Sequence, residues 1–154
     1  GRIDHGSFVA RAVREGIVDP ARSIQVGIRT HAPETCGIEI IDGDEVARLG
    51  CAAVTERILA RVGAGAAYMT FDIDCLDPAF APGTGTPVAG GLSSREALLI
   101  LRGIGSLDFV GGDVVEVAPP YDHSDITAIA AATVAMSYVG LYAERRRHKG
   151  APAA

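Results

Sequence analysis

Cysteine is scarce in this sequence and never closely paired. Cys36, Cys51 and Cys75 are the whole complement. An odd number with no CxxC spacing excludes a thiolate zinc site and a disulfide scaffold, and is expected of reduced thiols in a cytoplasmic protein. Lysine is scarcer still, with Lys149 the only one. That excludes a P-loop, whose lysine follows the glycine loop directly, and Gly83-Thr84-Gly85-Thr86-Pro87-Val88 fits the dinucleotide fingerprint no better. Positive charge is in deficit, 14 Lys and Arg against 19 Asp and Glu for a net charge of -5. This balance speaks against nucleic acid as a partner and mildly favours cationic small molecules in an acidic cleft. No signal peptide pattern is present and no apolar run reads as long enough to span a bilayer, so no membrane partner is expected. The chain opens Gly1-Arg2-Ile3-Asp4-His5 without Met and reaches a helical pattern within a few residues, as if it began inside a longer protein.

What is present describes one α/β domain. The 154 residues suffice for a single core, and 48% hydrophobic residues with 19 Gly suit strands and helices joined by tight turns. Phe8, Val9, Ala12 and Val13 have helical spacing over 7–15, with Gly16 at the C-terminal stop. Residues 23–28 alternate as a strand, 31–36 form a loop around Pro33, and 37–41 form a second strand. A helix is expected over 44–62, capped by Asp44 and broken near Gly50. A central strand covers 66–74. Ser93 and Glu96 form a capping box for a helix to about 102, a strand covers 107–117, and an Ala-rich helix over 125–147 is expected to be largely buried against the sheet or a neighbouring subunit. The alternation implies a mostly parallel sheet in a three-layer α/β/α arrangement, with ligands beyond the carboxyl ends of the strands. Residues 1–143 read as domain and 144–154 as a basic, flexible tail, whose cations suit a helix C-terminus.

The chemistry concentrates after the central strand, in Tyr68-Met69-Thr70-Phe71-Asp72-Ile73-Asp74-Cys75-Leu76-Asp77-Pro78 and the Pro/Gly/Thr loop that follows. On a strand, Asp72 and Asp74 leave from one face with origins about 6.5 to 7 Å apart. Such a pair can grip two hard divalent ions or serve as a general acid and base. Burying both without a counter-ion is costly, and a metal supplies one. Asp77 before Pro78 reads as a turn initiator. Thr84 and Thr86 can offer hydroxyls to a substrate or stabilise the turn. The strand over 107–117 also ends on an acid, Glu116, so two strands aim carboxylates at one edge.

Phe71-Asp72-Ile73-Asp74-Cys75-Leu76-Asp77-Pro78-Ala79-Phe80-Ala81-Pro82-Gly83-Thr84-Gly85-Thr86-Pro87, followed by Gly90-Gly91-Leu92, resembles the ureohydrolase superfamily of arginases and agmatinases. Asp4-His5-Gly6-Ser7, Ser23 through Thr30, and Val114-Val115-Glu116-Val117-Ala118-Pro119-Pro120-Tyr121-Asp122 agree with it, in the manner of agmatinases rather than arginases. The resemblance extends to about Tyr142 but covers only the C-terminal half of the family's arginase-like domain, so the fold is expected to be incomplete on its N-terminal side.

The resemblance implies that Asp72 and Asp74 are ligands of a binuclear Mn2+ cluster. It implies that Glu116 holds a substrate guanidinium, with Thr86 beside it, and that His5 shuttles a proton to the leaving amine. The implied reaction hydrolyses a guanidino compound to urea and an amine, with agmatine to putrescine as the expected case and guanidinobutyrase, guanidinopropionase or proclavaminate amidinohydrolase activity as rivals. The family's other metal ligands, in Gly-Gly-Asp-His and Asp-Ala-His-x-Asp segments, are absent. His31, His123 and His148 fall in a loop, a turn and the tail, and none is placed as a substitute. A catalytically incomplete module that assembles with a partner is therefore the competing expectation. The resemblance also implies a homo-oligomer, a trimer or hexamer. The loop over 31–36, with Glu34, is a candidate contact for the substrate's tail.

Overall fold

The computed structural model describes residues 6–31 and 34–150, with side chains through residue 146. Its elements are α1 (Phe8–Arg14), β1 (Ile24–Ile28), β2 (Glu39–Asp42), α2 (Gly43–Val62), β3 (Ala66–Asp72), α3 (Ser94–Gly103), β4 (Asp108–Val115) and α4 (Ile126–Gly150), with short 3₁₀ turns at Pro20–Arg22, Ile73–Cys75 and Pro119–Tyr121. The α/β order and parallel pairing expected from the alternation are present. β1 pairs with β2 and β3 with β4, both in parallel, and among the described residues the two pairs form separate sheets.

One core joins them. Ile41, Val46, Val54 and Ile58 from β2 and α2 meet Ala97, Ile100 and Leu101 from α3, Phe109 from β4 and Val134 from α4. Along β3, Ala67, Met69 and Phe71 pack on this core while Ala66, Tyr68 and Thr70 face outward. The strand is thus half-buried. Its outer face carries a polar link, with the Tyr68 and Thr70 hydroxyls donating to the two carboxylate oxygens of Asp113 at 2.8 and 2.6 Å.

Local chemistry explains the element ends. The capping box at Ser93 and Glu96 is formed in both directions. The cap of α2 is Asp42, not Asp44: the Asp42 carboxylate accepts the Glu45 N–H at 2.7 Å, and Asp44 already lies inside the helix. Gly50 breaks α2 as expected, with φ 76 and ψ 162, a conformation natural to glycine.

α4 packs on the rest of this chain along one side only. Thr127 and Val134 are buried, but Ile129, Met136 and Val139 are 63%, 67% and 60% exposed. Only one side of the helix meets β4 and α3. By length and composition Ile126–Arg146 is long and apolar enough to cross a membrane, which corrects the reading that no run reaches that length. Its six alanines add to the hydropathy supplied by Ile, Val, Met and Leu without the bulk that demands a core. The basic segment from Glu144 begins inside this helix, where Arg145 donates to the Phe109 carbonyl at 2.7 Å and pairs with Asp108.

Candidate active site

Asp72, Asp74, Thr86 and Glu116 converge at the carboxyl ends of β3 and β4. β3 stops at Asp72, and the chain turns into the 3₁₀ segment Ile73–Cys75. Asp74 is therefore not a strand residue, and the expectation of two side chains leaving one strand face is corrected. The turn joins the two acids differently: the Asp74 N–H donates to Asp72 Oδ1 at 3.0 Å, and the two side chains lie within hydrogen-bonding range of each other. Thr86 Oγ1 donates to Asp74 Oδ2 at 3.0 Å. The register sets Asp72 opposite Val115, so Glu116 leaves β4 one residue beyond that level. Glu116 has φ 65, a left-handed conformation uncommon outside glycine. Strain of this kind concentrates at functional positions.

The loop between the acids is closed at its base by backbone. Asp77 N–H donates to Leu92 O at 2.8 Å and Leu92 N–H to Cys75 O at 3.0 Å. Asp77 is more than a turn initiator: one carboxylate oxygen accepts the Ala79 N–H at 2.9 Å and the other the Gly90 N–H at 2.8 Å. On the far side, Gly83 O accepts the Ala118 N–H at 2.8 Å and Gly83 N–H donates to the buried Thr127 hydroxyl at 2.7 Å. A side chain at Gly83 would lie 2.6 Å from Asp122 Cβ, so only glycine lets the loop approach there. Gly83 is thus held between the segment after β4 and the start of α4, and Thr86, three residues on, is held to Asp74.

Burial pushes the Asp72 carboxyl up to about 6; the charges of Asp74 and Glu116 add to this, and the Asp74 N–H opposes it. A crowded set of carboxylates with hard oxygen donors is what a divalent cation of the manganese type relieves. The donor chemistry of Asp72 and Asp74 therefore fits part of such a coordination sphere. Among the described residues no group of three or more His, Cys, Asp or Glu side chains completes one.

A family model described as Arginase family matches residues 1–140. The chain belongs to the arginase family. It is 51% identical over 143 residues to an agmatinase of Cronobacter sakazakii, covering 93% of this chain and 47% of that protein. An agmatinase of Photorhabdus laumondii is 49% identical over 146 residues, with 95% and 48% covered. Among solved structures, a hypothetical agmatinase from Burkholderia thailandensis superposes with a TM-score of 0.91 at 56% identity, over 94% of this chain and 46% of that one. Proclavaminate amidino hydrolase from Streptomyces clavuligerus gives 0.87 at 42% identity, over 93% and 50%. The chain spans about half the length of the curated relatives it matches. Within the arginase family fold it is an incomplete part, in keeping with its two separate strand pairs.

The remaining candidates of this family member fall as follows. His5 lies outside the described residues, as do Ala32 and Pro33 of the loop over 31–36. Glu34 pairs with Arg14 at 2.6 Å, both exposed. His31 and His123 are exposed. Sequence reasoning passed over Arg29, Asp122 and Thr127, which hold the site's segments together. Arg29 had one available signal, its position just past the carboxyl end of β1, where sites form in parallel sheets.

Proposed function

We propose that this chain carries the C-terminal part of the active site of a manganese-dependent amidinohydrolase that converts agmatine to putrescine and urea. The observation that carries this reading is the meeting of Asp72, Asp74 and Glu116 at one sheet edge, with Thr86 bonded to Asp74. The agmatinase relatives at about half identity support the choice of agmatine.

In this reading Asp72 and Asp74 hold manganese through carboxylate oxygens, the remaining ligands coming from protein beyond this chain. A bound pair of such ions supplies water activated for hydrolysis at neutral pH. Glu116 receives the planar, cationic guanidinium through paired, charge-assisted hydrogen bonds. Thr86 fixes one oxygen of Asp74 and so leaves the other directed. The bond from the guanidinium carbon to the substrate's chain nitrogen breaks, and His5 delivers the proton that the leaving amine takes. The similarity to proclavaminate amidino hydrolase supports a second reading within the same reaction class, a guanidino acid as substrate.

The first experiment is elemental analysis, after manganese loading and gel filtration, of the chain embedded in a full-length relative, with Asp72→Ala and Asp74→Ala alongside. Retained manganese that falls at least tenfold in both variants is the expected result. Equal retention in all three would sink the assignment. Urea release from agmatine and from 4-guanidinobutyrate, by the chain embedded in a full-length relative, then separates the two substrate readings.

A further inference from the structure

Besides Arg145, three arginines among the described residues donate to backbone carbonyls. Arg22 donates to Val62 O at 2.9 and 2.8 Å and to Ala64 O. Arg61 donates to Ser23 O at 3.2 Å, Pro20 O at 2.8 Å and Gly37 O at 2.7 Å. Both close the seam between the end of α2 and the start of β1. Arg29 has another set of acceptors: Gly27 O at 2.6 Å, Cys75 O at 3.3 Å, Val88 O at 3.2 Å and Asp74 O. These belong to the end of β1, to the turn that bears Asp74, and to the loop that bears Thr86.

The guanidinium is a planar fork of five N–H donors with fixed directions. By holding the carbonyl of Asp74 it fixes the peptide plane that follows Asp74, while the Asp74 N–H is held by Asp72 and the Asp74 carboxylate by Thr86. The N–H, the carbonyl and one carboxylate oxygen of Asp74 are thereby each held, and the direction of its side chain is set. The stem is wedged as well, since a side chain on Gly43 would meet Arg29 Cγ and Cδ at 3.3 Å. We propose that Arg29 is a positioning residue for the Asp72–Asp74 pair, fixing the Asp74 turn against β1 and the Thr86 loop so that the pair can hold metal. This rests on the manganese reading above. A lysine offers three donors from one point and cannot reach carbonyls on three segments.

The test compares Arg29→Lys with Arg61→Lys, a carbonyl clip of the same kind away from the site. Manganese affinity is measured by titration of the chain embedded in a full-length relative, melting temperature by circular dichroism, and protection of the Asp74 amide by hydrogen exchange in the metal-free protein. Arg29→Lys is expected to weaken manganese binding on the order of tenfold or more, the size seen when the support of a metal ligand is removed. It should also expose the Asp74 amide, while Arg61→Lys lowers the melting temperature and leaves both unchanged. Equal losses of affinity in the two variants would reduce Arg29 to a structural clip and overturn the proposal. A wild-type chain that takes up no manganese counts against the metal reading instead. Arg29 is then decided by exchange: wild-type protection of Asp74 in Arg29→Lys overturns its role, and selective loss there supports it.

Discussion

Asp122 shows how much of this site hangs on single side chains. One of its oxygens accepts the N–H groups of His123 and Thr127 at 2.9 and 3.0 Å, and the other that of Ala128 at 2.9 Å. It caps α4 across Ser124 and Asp125, two residues with left-handed φ of 54 and 58 that would otherwise be costly to hold. Burial acts to raise its carboxyl, but the N–H groups of Thr127 and Ala128, the Thr127 hydroxyl and the His123 N–H outweigh it and hold Asp122 below the usual carboxylate range. A carboxylate lowered in the folded state contributes stability that is present above its unfolded pKa and lost as pH falls through its folded one. Asp122→Asn should therefore lower the urea midpoint at pH 7 and flatten its fall below about pH 4. Parallel curves for the two proteins from pH 7 to pH 3 would show that the carboxylate charge is not what caps α4. The role of Asp122 was not legible in the sequence, where it closes a Pro-Pro-Tyr-Asp segment four residues before α4 begins rather than at the usual N-cap place. Asp72, Asp74 and Glu116 were legible because two acids beside an apolar run, and one at the end of another, are unusual. How Asp72 and Asp74 meet was not, since period-2 reasoning holds only while the strand lasts.

At the scale of elements, what decided legibility was whether the signal is local. The capping box of α3 and the glycine break in α2 are chemistry within a few residues, and both fell where expected. The end of β3 is set by bonds the sequence does not display: Leu92 pairs with Cys75 across the loop, and a side chain at Gly91 would lie 2.4 Å from Asp77 N. These draw the chain out of the strand one residue after Asp72. β4 carries a similar hidden feature. Ala67 pairs with Phe109 but Tyr68 with Gly111, so Val110 is an extra residue that resets the alternation and brings Asp113 to the face of Tyr68 and Thr70. Alternation counted from either end of 107–117 disagrees at the middle, and no residue type there announces the bulge.

For the whole molecule the unburied apolar surface is the main fact. Tyr68 at 63% and Val110 at 52% exposure stand on or beside the outer face of the β3–β4 sheet, and α4 turns Ile129, Met136 and Val139 outward. Exposed apolar side chains in such number mark contact with more protein. The isolated chain should self-associate with rising concentration. Met136→Glu combined with Val139→Lys should shift sedimentation toward the monomer with little change in melting temperature, because neither side chain is buried. Unchanged association would place the sticky surface on the sheet instead.

The arginine clips carry one more consequence, in the order in which the structure comes apart in acid. Carbonyl oxygens do not titrate, and guanidinium keeps its proton throughout, so the bonds of Arg22, Arg29 and Arg61 are indifferent to pH. The ties made by Asp77, Glu96 and Asp122 are carboxylates held low by the N–H groups they accept. Acid should thus erase one set of fastenings and spare the other. Amides at Ala79, Gly90 and Ala128 would lose hydrogen-exchange protection at a higher pH than those of β1, and simultaneous loss would show that the two sets fail as one. The carbonyl bonds between β1 and the end of α2 would outlast the loops fastened by carboxylates.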